Sequence, residues 1–252
     1  MDRLDYLRRD SFYSGVTEGS VNSERLLTML NVKDDQLVVD AKGIYSVEKF
    51  LVARRLMYWQ VYMHKTVLSA EFMLVNILKR VKYLANEGIE LPGTIALRHF
   101  LNADYSWNEF EENPAVLEKF VLLDDYDVMS AIKDWTNHSD IILSELSRRI
   151  TDRNLLKIRL QAAPFAPEVS ARIGEAIKTQ YNFSHGEEHY MYIEAKVKNH
   201  AYNNKKGHIN LLYKDGHISD ISKAADQMTI KALSEPVERH FICFPRELKD
   251  LL

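Results

Sequence analysis

The feature that most limits what this chain can fold into is a change of hydrophobic period near residue 154. Before it, apolar residues recur at helical spacing in one segment after another; beyond it, stretches such as "YMYIEAKVK" alternate apolar and polar with period 2. The fold class that follows is mainly α over residues 1–150, then an α+β domain over 151–252. At 252 residues the chain is long enough to bury a substantial core in each part.

The strongest helical segment is "SVEKFLVARRLMYWQVYMHKT", residues 46–66, with Ser46 as its expected cap. Val47, Phe50, Leu51, Arg54, Tyr58, Val61 and Tyr62 fall on one stripe of it. A second long helix, "VLSAEFMLVNILKRVKYLANEG", closes at Gly88. "SERLLTML" reads as a short helix capped by Ser23 or Asn22, and "NVKDDQLVVDAKG" as a small hairpin. "LPGTIALRHFLN", "PAVLEKFVLL", "DYDVMSAIKDW" and "SDIILSELSRRITD" are further helices. After residue 154 the order is a strand in "LLKIRLQ", a helix in "APEVSARIGEAIKTQY", the alternating strand, and a hairpin in "INLLYKDGHISDI" on its Asp-Gly turn. A helix in "ISKAADQMTIKAL" and a last strand in "RHFICF" complete it.

Charge and cysteine content narrow the function. The net charge is −3, so no global basic field draws nucleic acid or an anionic membrane. Cys243 is the single cysteine, which rules out an internal disulfide and a Cys-rich zinc site and suits a reducing cytosol. The N-terminal residues are charged, without the apolar core of a signal peptide, and apolar runs such as "FMLVNIL" are far too short to span a bilayer. A cytoplasmic protein that touches no membrane is expected.

Two helices carry the candidate chemistry. In "MDRLDYLRRDSFYSGV", Asp2, Tyr6 and Asp10 lie at i, i+4 and i+8, with Arg3 and Arg9 beside them. In the 46–66 helix Arg54, Tyr58 and Tyr62 repeat that spacing. Arg54 shares its stripe with residues that must face a core, and an unpaired buried charge costs several kcal/mol. Its partner is therefore Asp2, Asp10 or an anionic ligand, for which a guanidinium fork suits phosphate. The tyrosines can stack on, or hydrogen-bond to, a sugar or base. The plainer reading of the same residues is a buried Arg–Asp pair among core tyrosines.

"DRLDYLRRDSFYSG", "KGIYSVEKFLVARRLMYWQVYMHKT" and "LDDYDVMSAIKDW", in this order and spacing, closely resemble the HD-domain phosphohydrolases. They look most like bacterial proteins akin to the animal SAM-and-HD-domain deoxynucleoside triphosphate triphosphohydrolase. The resemblance implies an HD-type helical bundle over residues 1–150 and hydrolysis of a dNTP to deoxynucleoside and triphosphate. In that family an H…HD set plus one later aspartate holds a divalent metal (Mn, Mg or Fe), which polarises a phosphoryl oxygen or activates water. The later aspartate falls on Asp2. Nucleotide contacts fall on Arg3, Tyr6 and Asp10, the phosphate-binding arginine on Arg54, and the tyrosine against the deoxyribose on Tyr62. Tyr58 stands where the animal enzyme has a histidine, and Arg3 stands for a lysine.

The sequence departs from the family in one large respect. None of its nine histidines precedes an aspartate, so the HD dipeptide is absent and Asp2 alone remains of the metal ligands. The expectation is an HD-type bundle lacking its N-terminal part, with metal weak or absent and the chain inactive alone. A homo-oligomer, or a second chain supplying the missing HD half, is the expected partner besides the nucleotide. The alternative is a non-catalytic oligomerisation or nucleotide-binding module; nucleic-acid binding by the α+β end is disfavoured by the charge balance.

Other motifs have structural explanations. "HGEEH" (185–189) departs from H-E-x-x-H and reads as a loop-borne pair, and "NNKKGH" (203–208) as a solvated hairpin tip. Asp124, Asp125 and Asp127 suit helix capping, and Cys243 a packed or half-buried thiol.

Overall fold

The computed structural model describes residues 2–199, 208–224 and 237–251. Helices come first: α1 (Asp2–Ser14), α2 (Ser23–Thr28), then after a hairpin α3 (Ile44–Met57), α4 (Lys65–Asn86), α5 (Ile95–Asn102), α6 (Trp107–Glu112), α7 (Pro114–Val121), α8 (Asp125–Trp135) and α9 (Ile141–Thr151). The hairpin is β1 (Leu30–Lys33) and β2 (Gln36–Asp40). Past residue 154 come β3 (Lys157–Gln161), α10 (Pro167–Tyr181), β4 (Ile193–Asn199), β5 (Asn210–Leu212), β6 (Ile218–Asp220) and β7 (Val237–Phe244). The architecture is thus mainly α followed by an α+β region, as the change of period implies. Among the described residues no helix is long and apolar enough to cross a membrane.

The chain folds into two compact units, Met1–Val67 with Lys196–His240, and Leu68–Ala195 with Phe241–Leu252. These run across the textural boundary near residue 150 instead of following it. The physical reason is strand pairing: β2 pairs in parallel with β5, aligning Val39 with Leu211 and Asp40 with Leu212. Period marks where strands begin, whereas partner choice across that distance leaves no local signal.

In the first unit the sheet runs β1-β2-β5-β6. Asp34 and Asp35 both take positive φ, the two-residue turn whose twist suits an antiparallel hairpin. Gly216, at φ +84, follows Asp215 in the β5–β6 turn. A core of Leu26, Val39, Val47, Leu51, Leu211 and Ile221 joins α2, β2, α3 and β5. A smaller one of Leu7, Ala53 and Met57 fixes α1 on α3. Gly19 is required there, because a Cβ would stand 2.7 Å from Met57 Sδ and 2.8 Å from Ser11 Cβ.

In the second unit α4 buries Met73, Ile77, Val81 and Leu84 along one face. Polar side chains on α4 tie down irregular backbone: Ser69 Oγ donates to the Leu156 carbonyl at 2.9 Å, and Asn76 Nδ2 to that of Tyr190 at 2.9 Å. Trp135 is buried, its Nε1 donating to the Pro92 carbonyl at 3.0 Å. Phe72 meets Phe241 edge-on, and the run Phe241–Phe244, including the free Cys243, is fully buried. A second sheet has the order β3-β7-β4.

Several local expectations shift. Ser46 lies inside α3, whose N-cap is Gly43, because a short 3-10 turn over Ala41–Gly43 already feeds the helix. Asn22, not Ser23, caps α2, accepting from the Arg25 amide. Asp124 caps α8 with Asp127 in a reciprocal capping box. Residues 185–189 form a turn leading into the 3-10 helix Glu187–Tyr190, with Glu187 committed to Arg80. Residues 203–207, and the 225-onward part of the expected helix in "ISKAADQMTIKAL", lie outside the described residues.

Candidate functional site

The site is built by α1 and α3 within the first unit. Leu7, Ala53 and Met57 form the apolar contact between the helices, and the residues flanking them carry the polar groups. On α1, four-residue steps put Asp2, Tyr6 and Asp10 on one face. On α3 the same step carries Arg54 to Tyr58, where the helix loosens into one π turn, Tyr58–Tyr62. The Met63 amide donates to the Tyr58 carbonyl at 2.7 Å, the i+5 bond that defines the turn.

The two rows run side by side. Tyr62 Oη donates to Asp10 Oδ2 at 2.6 Å, a short bond because the acceptor is a carboxylate. The Tyr62 ring meets Tyr6 edge-on with centroids 6.1 Å apart, and Tyr58 edge-on at 5.1 Å. The Arg54 guanidinium lies over the Tyr58 ring, 4.9 Å from its centroid, and Nη2 reaches the Tyr58 phenol oxygen at 3.4 Å. Asp2 and Arg3 stand exposed on the first turn of α1, outside this cluster. The structure therefore gathers Tyr6, Asp10, Arg54, Tyr58 and Tyr62, and leaves Asp2 and Arg3 at its open end.

Of the partners weighed for Arg54, the tyrosines are drawn in where an Arg–Asp pair was the simple expectation, and Asp10 is engaged by Tyr62. Burial, and then the Asp10 carboxylate, push the Tyr62 phenol well above its ordinary value, so it stays a neutral donor. The Tyr6 phenol is also raised, chiefly by burial, with Arg54 opposing. Burial works against the charged form of Arg54, but the hydrogen bonds it donates to the Tyr58 and Tyr6 phenol oxygens raise it and keep it cationic. What results is a half-buried wall with one fixed cation, one carboxylate and three aromatic faces. It can hold an anionic group at Arg54 and a flat or hydroxylated group against Tyr6 and Tyr62.

The spacing on each helix was legible, but the Asp10–Tyr62 bond and the π turn that helps aim it were not. Sequence offers one cue to the first: each is the last member of its own i, i+4, i+8 set.

Residues 21–91 match the HD associated region family. This HD associated region contains β1, β2, α3 with Arg54, and the π turn with Tyr58 and Tyr62. Over 97% of its length the chain superposes on a phosphohydrolase from Bacteroides thetaiotaomicron VPI-5482, with a TM-score of 0.88 and 44% identity, covering 61% of that protein. It is 36% identical over 156 residues to the uncharacterized protein YwfO of Bacillus subtilis (strain 168), which takes in 62% of this chain and 34% of YwfO. A 76-residue stretch is 36% identical to the deoxynucleoside triphosphate triphosphohydrolase SAMHD1 homolog of Dictyostelium discoideum, 30% of this chain and 15% of that protein. The chain thus spans about a third of YwfO and under two thirds of the Bacteroides structure. In sequence and fold it is HD phosphohydrolase-like.

A divalent metal is the group these likenesses bring to mind. Among the described residues no three His, Cys, Asp or Glu side chains come together in a set able to hold one. Asp2 is a single exposed carboxylate, which does not close such a site. The described residues do not by themselves fit the metal.

Proposed function

We propose that this chain forms the substrate-binding wall of an HD-type phosphohydrolase acting on deoxynucleoside triphosphates. The observation that carries the reading is the joined set of Arg54, Tyr58, Tyr62, Asp10 and Tyr6, whose chemistry matches the parts of a nucleotide. In this reading Arg54 offsets phosphate charge, with Arg3 exposed nearer the open end. Tyr62, held by Asp10, offers a ring face for a deoxyribose, and Asp10 keeps a second carboxylate oxygen to accept from a sugar hydroxyl. In this reading Asp2 supplies one carboxylate toward a metal (Mn, Mg or Fe), and among the described residues no two further carboxylates, histidines or cysteines gather with it.

A second reading shares the same geometry. It is a nucleotide-binding module without turnover that works in a homo-oligomer or with a chain carrying an HD half. One experiment separates the two. Each dNTP is titrated onto the purified chain by calorimetry, and hydrolysis is followed in parallel with Mn²⁺ or Mg²⁺. Saturable binding that Arg54→Ala weakens about tenfold or more, without triphosphate release, supports the binding wall acting without its metal. Triphosphate release that Asp2→Ala abolishes would show that the chain completes the metal site itself. Binding indifferent to Arg54→Ala and Tyr62→Phe would sink the nucleotide reading.

A further inference from the structure

Between Asn102 and Ser130 a single residue, Val116, is buried. The segment is nonetheless well formed. Phe100, Phe110 and Phe120 pack on one another with centroids 5.4–6.1 Å apart, which pins α6 and α7 onto α5. Reciprocal capping of α6 by Ser106 and Glu109, and of α8 by Asp124 and Asp127, fixes both ends. The open surface is therefore a built feature of the second unit.

Its outward side is apolar where a soluble surface is usually polar. Trp107 is 75% exposed, Val121 73%, Leu122 70% and Tyr126 83%. Leu117 and Val121, one turn apart, make the outer stripe of α7, while Val116 and the Phe120 ring turn inward. Isolated exposed apolar residues need no explanation, but this many within twenty residues mark an interaction site.

Charge identifies the occupant. From Asp104 to Asp127 there are eight carboxylates and one cationic side chain, Lys119, in a chain whose whole net charge is −3. Glu109, Asp124 and Asp127 are spent on caps, and Asp104 on Lys82. Glu112, Glu118 and Asp125 stay exposed among the apolar residues. An apolar stripe rimmed by carboxylates repels acidic partners and fits a segment with apolar residues on one side and Lys or Arg at its edges.

We infer that the α6–α7 surface is a docking site for a basic amphipathic helix of a partner protein. The surface belongs to the second unit and the α1–α3 cluster to the first. Trp107 reports on it directly, since an indole at the contact shifts its emission to the blue as water leaves.

The probe is a labelled Leu/Lys amphipathic helix of about 18 residues, with a Leu/Glu helix of the same pattern as control. Binding to the whole chain is read by fluorescence anisotropy and Trp107 emission at low and moderate salt. The expected result is saturable binding of the Leu/Lys helix at least about tenfold tighter than the control, with a blue shift that Trp107→Phe removes. Val121→Ser with Leu122→Ser should abolish it. Glu112→Gln with Glu118→Gln should weaken it by about threefold or more and flatten its salt dependence. Glu168→Gln, an equal charge change on α10, should do nothing. All these positions are exposed, so the variants fold. Binding that survives the serine pair, or that Glu168→Gln weakens equally, would overturn the inference as diffuse attraction. A concentration-dependent dimer that the serine pair dissolves would also overturn it, assigning the face to a second copy of the chain.

Discussion

Replacing Arg80 by Met tests how the second unit is held around α4. Arg80 is 9% exposed; its Nε and Nη2 donate to the two Asp140 oxygens at 3.1 and 2.6 Å, Nη2 also meets Glu187 at 3.1 Å, and the guanidinium lies over Tyr83 and Tyr190. Removing one member of such a buried pair costs about 3–5 kcal/mol, most of it the stranded charge. Asp140 retains 14% exposure and its cap bond to the Leu143 amide, and Glu187 retains 28%, so the low end applies, about 3 kcal/mol. Urea unfolding followed by circular dichroism should show the midpoint falling by about 1 M or more. Adding Asp140→Asn, which keeps a capping oxygen, should restore at least about 1 kcal/mol.

The pH dependence follows with a definite sign. Burial alone would raise the Asp140 carboxyl, but Arg80 and the Leu143 amide outweigh it and hold the group below the usual carboxylate range. A lowered folded value contributes stability that is fully present above the unfolded value, near 3.9, and is lost as pH falls through the folded one. The gap between native chain and Arg80→Met should therefore be full at pH 7 and shrink steadily below about pH 4. A cost under about 1 kcal/mol, or a gap unchanged at pH 3, would refute the reasoning, since the pair would then be behaving as a solvated surface ion pair.

Three further outcomes are expected. Gly19→Ala should destabilise the first unit by about 1–3 kcal/mol, measured by thermal melting, because Ser11 Cβ and Met57 stand within 2.8 Å of the added carbon; an unchanged melting temperature would mean α1 and α3 can part freely. Asp124→Ala removes two bonds to the Tyr126 and Asp127 amides and should cost about 1–2 kcal/mol in the same assay, with Asp125→Ala, which caps nothing, as the neutral comparison. Cys243 is buried with its thiol pushed up to about 12, so at pH 8 a thiol reagent should label it only after urea is added; prompt labelling of the folded chain would contradict the packing of β7.

The sequence made local features legible and distant ones illegible. Apolar spacing in "FMLVNILKRVKYL" marks α4, and the paired Asp34–Asp35 and Asp215–Gly216 turns mark both hairpins. The capping role of Asp124 and the burial of Cys243 also follow from neighbours in the chain. The π turn at Tyr58–Tyr62 does not, because an i+5 bond leaves the apolar period of the flanking turns intact. Nor does the pairing of β2 with β5, where either strand accepts many partners until the rest of the fold chooses. At the candidate site the two helix faces were readable singly. Which tyrosine takes Asp10 depends on how α1 lies against α3, and Leu7, Ala53 and Met57 decide that.

That β2–β5 pairing also sets an order of events during synthesis. Val39 and Leu211 are about 170 residues apart, so joining them closes a loop whose entropy is about 4–5 kcal/mol, repaid only when Leu211 and Ile221 enter the core with Val47 and Leu51. The helices bearing the candidate nucleotide wall leave the ribosome well before residues 196–240, which complete their unit. A growing chain therefore carries Leu26, Val39 and Leu51 uncovered while residues 68–195 of the second unit are being made. Ligand capture by α1 and α3 in a nascent chain would precede the closure of its own scaffold, and any chaperone dependence of this protein should map to that interval.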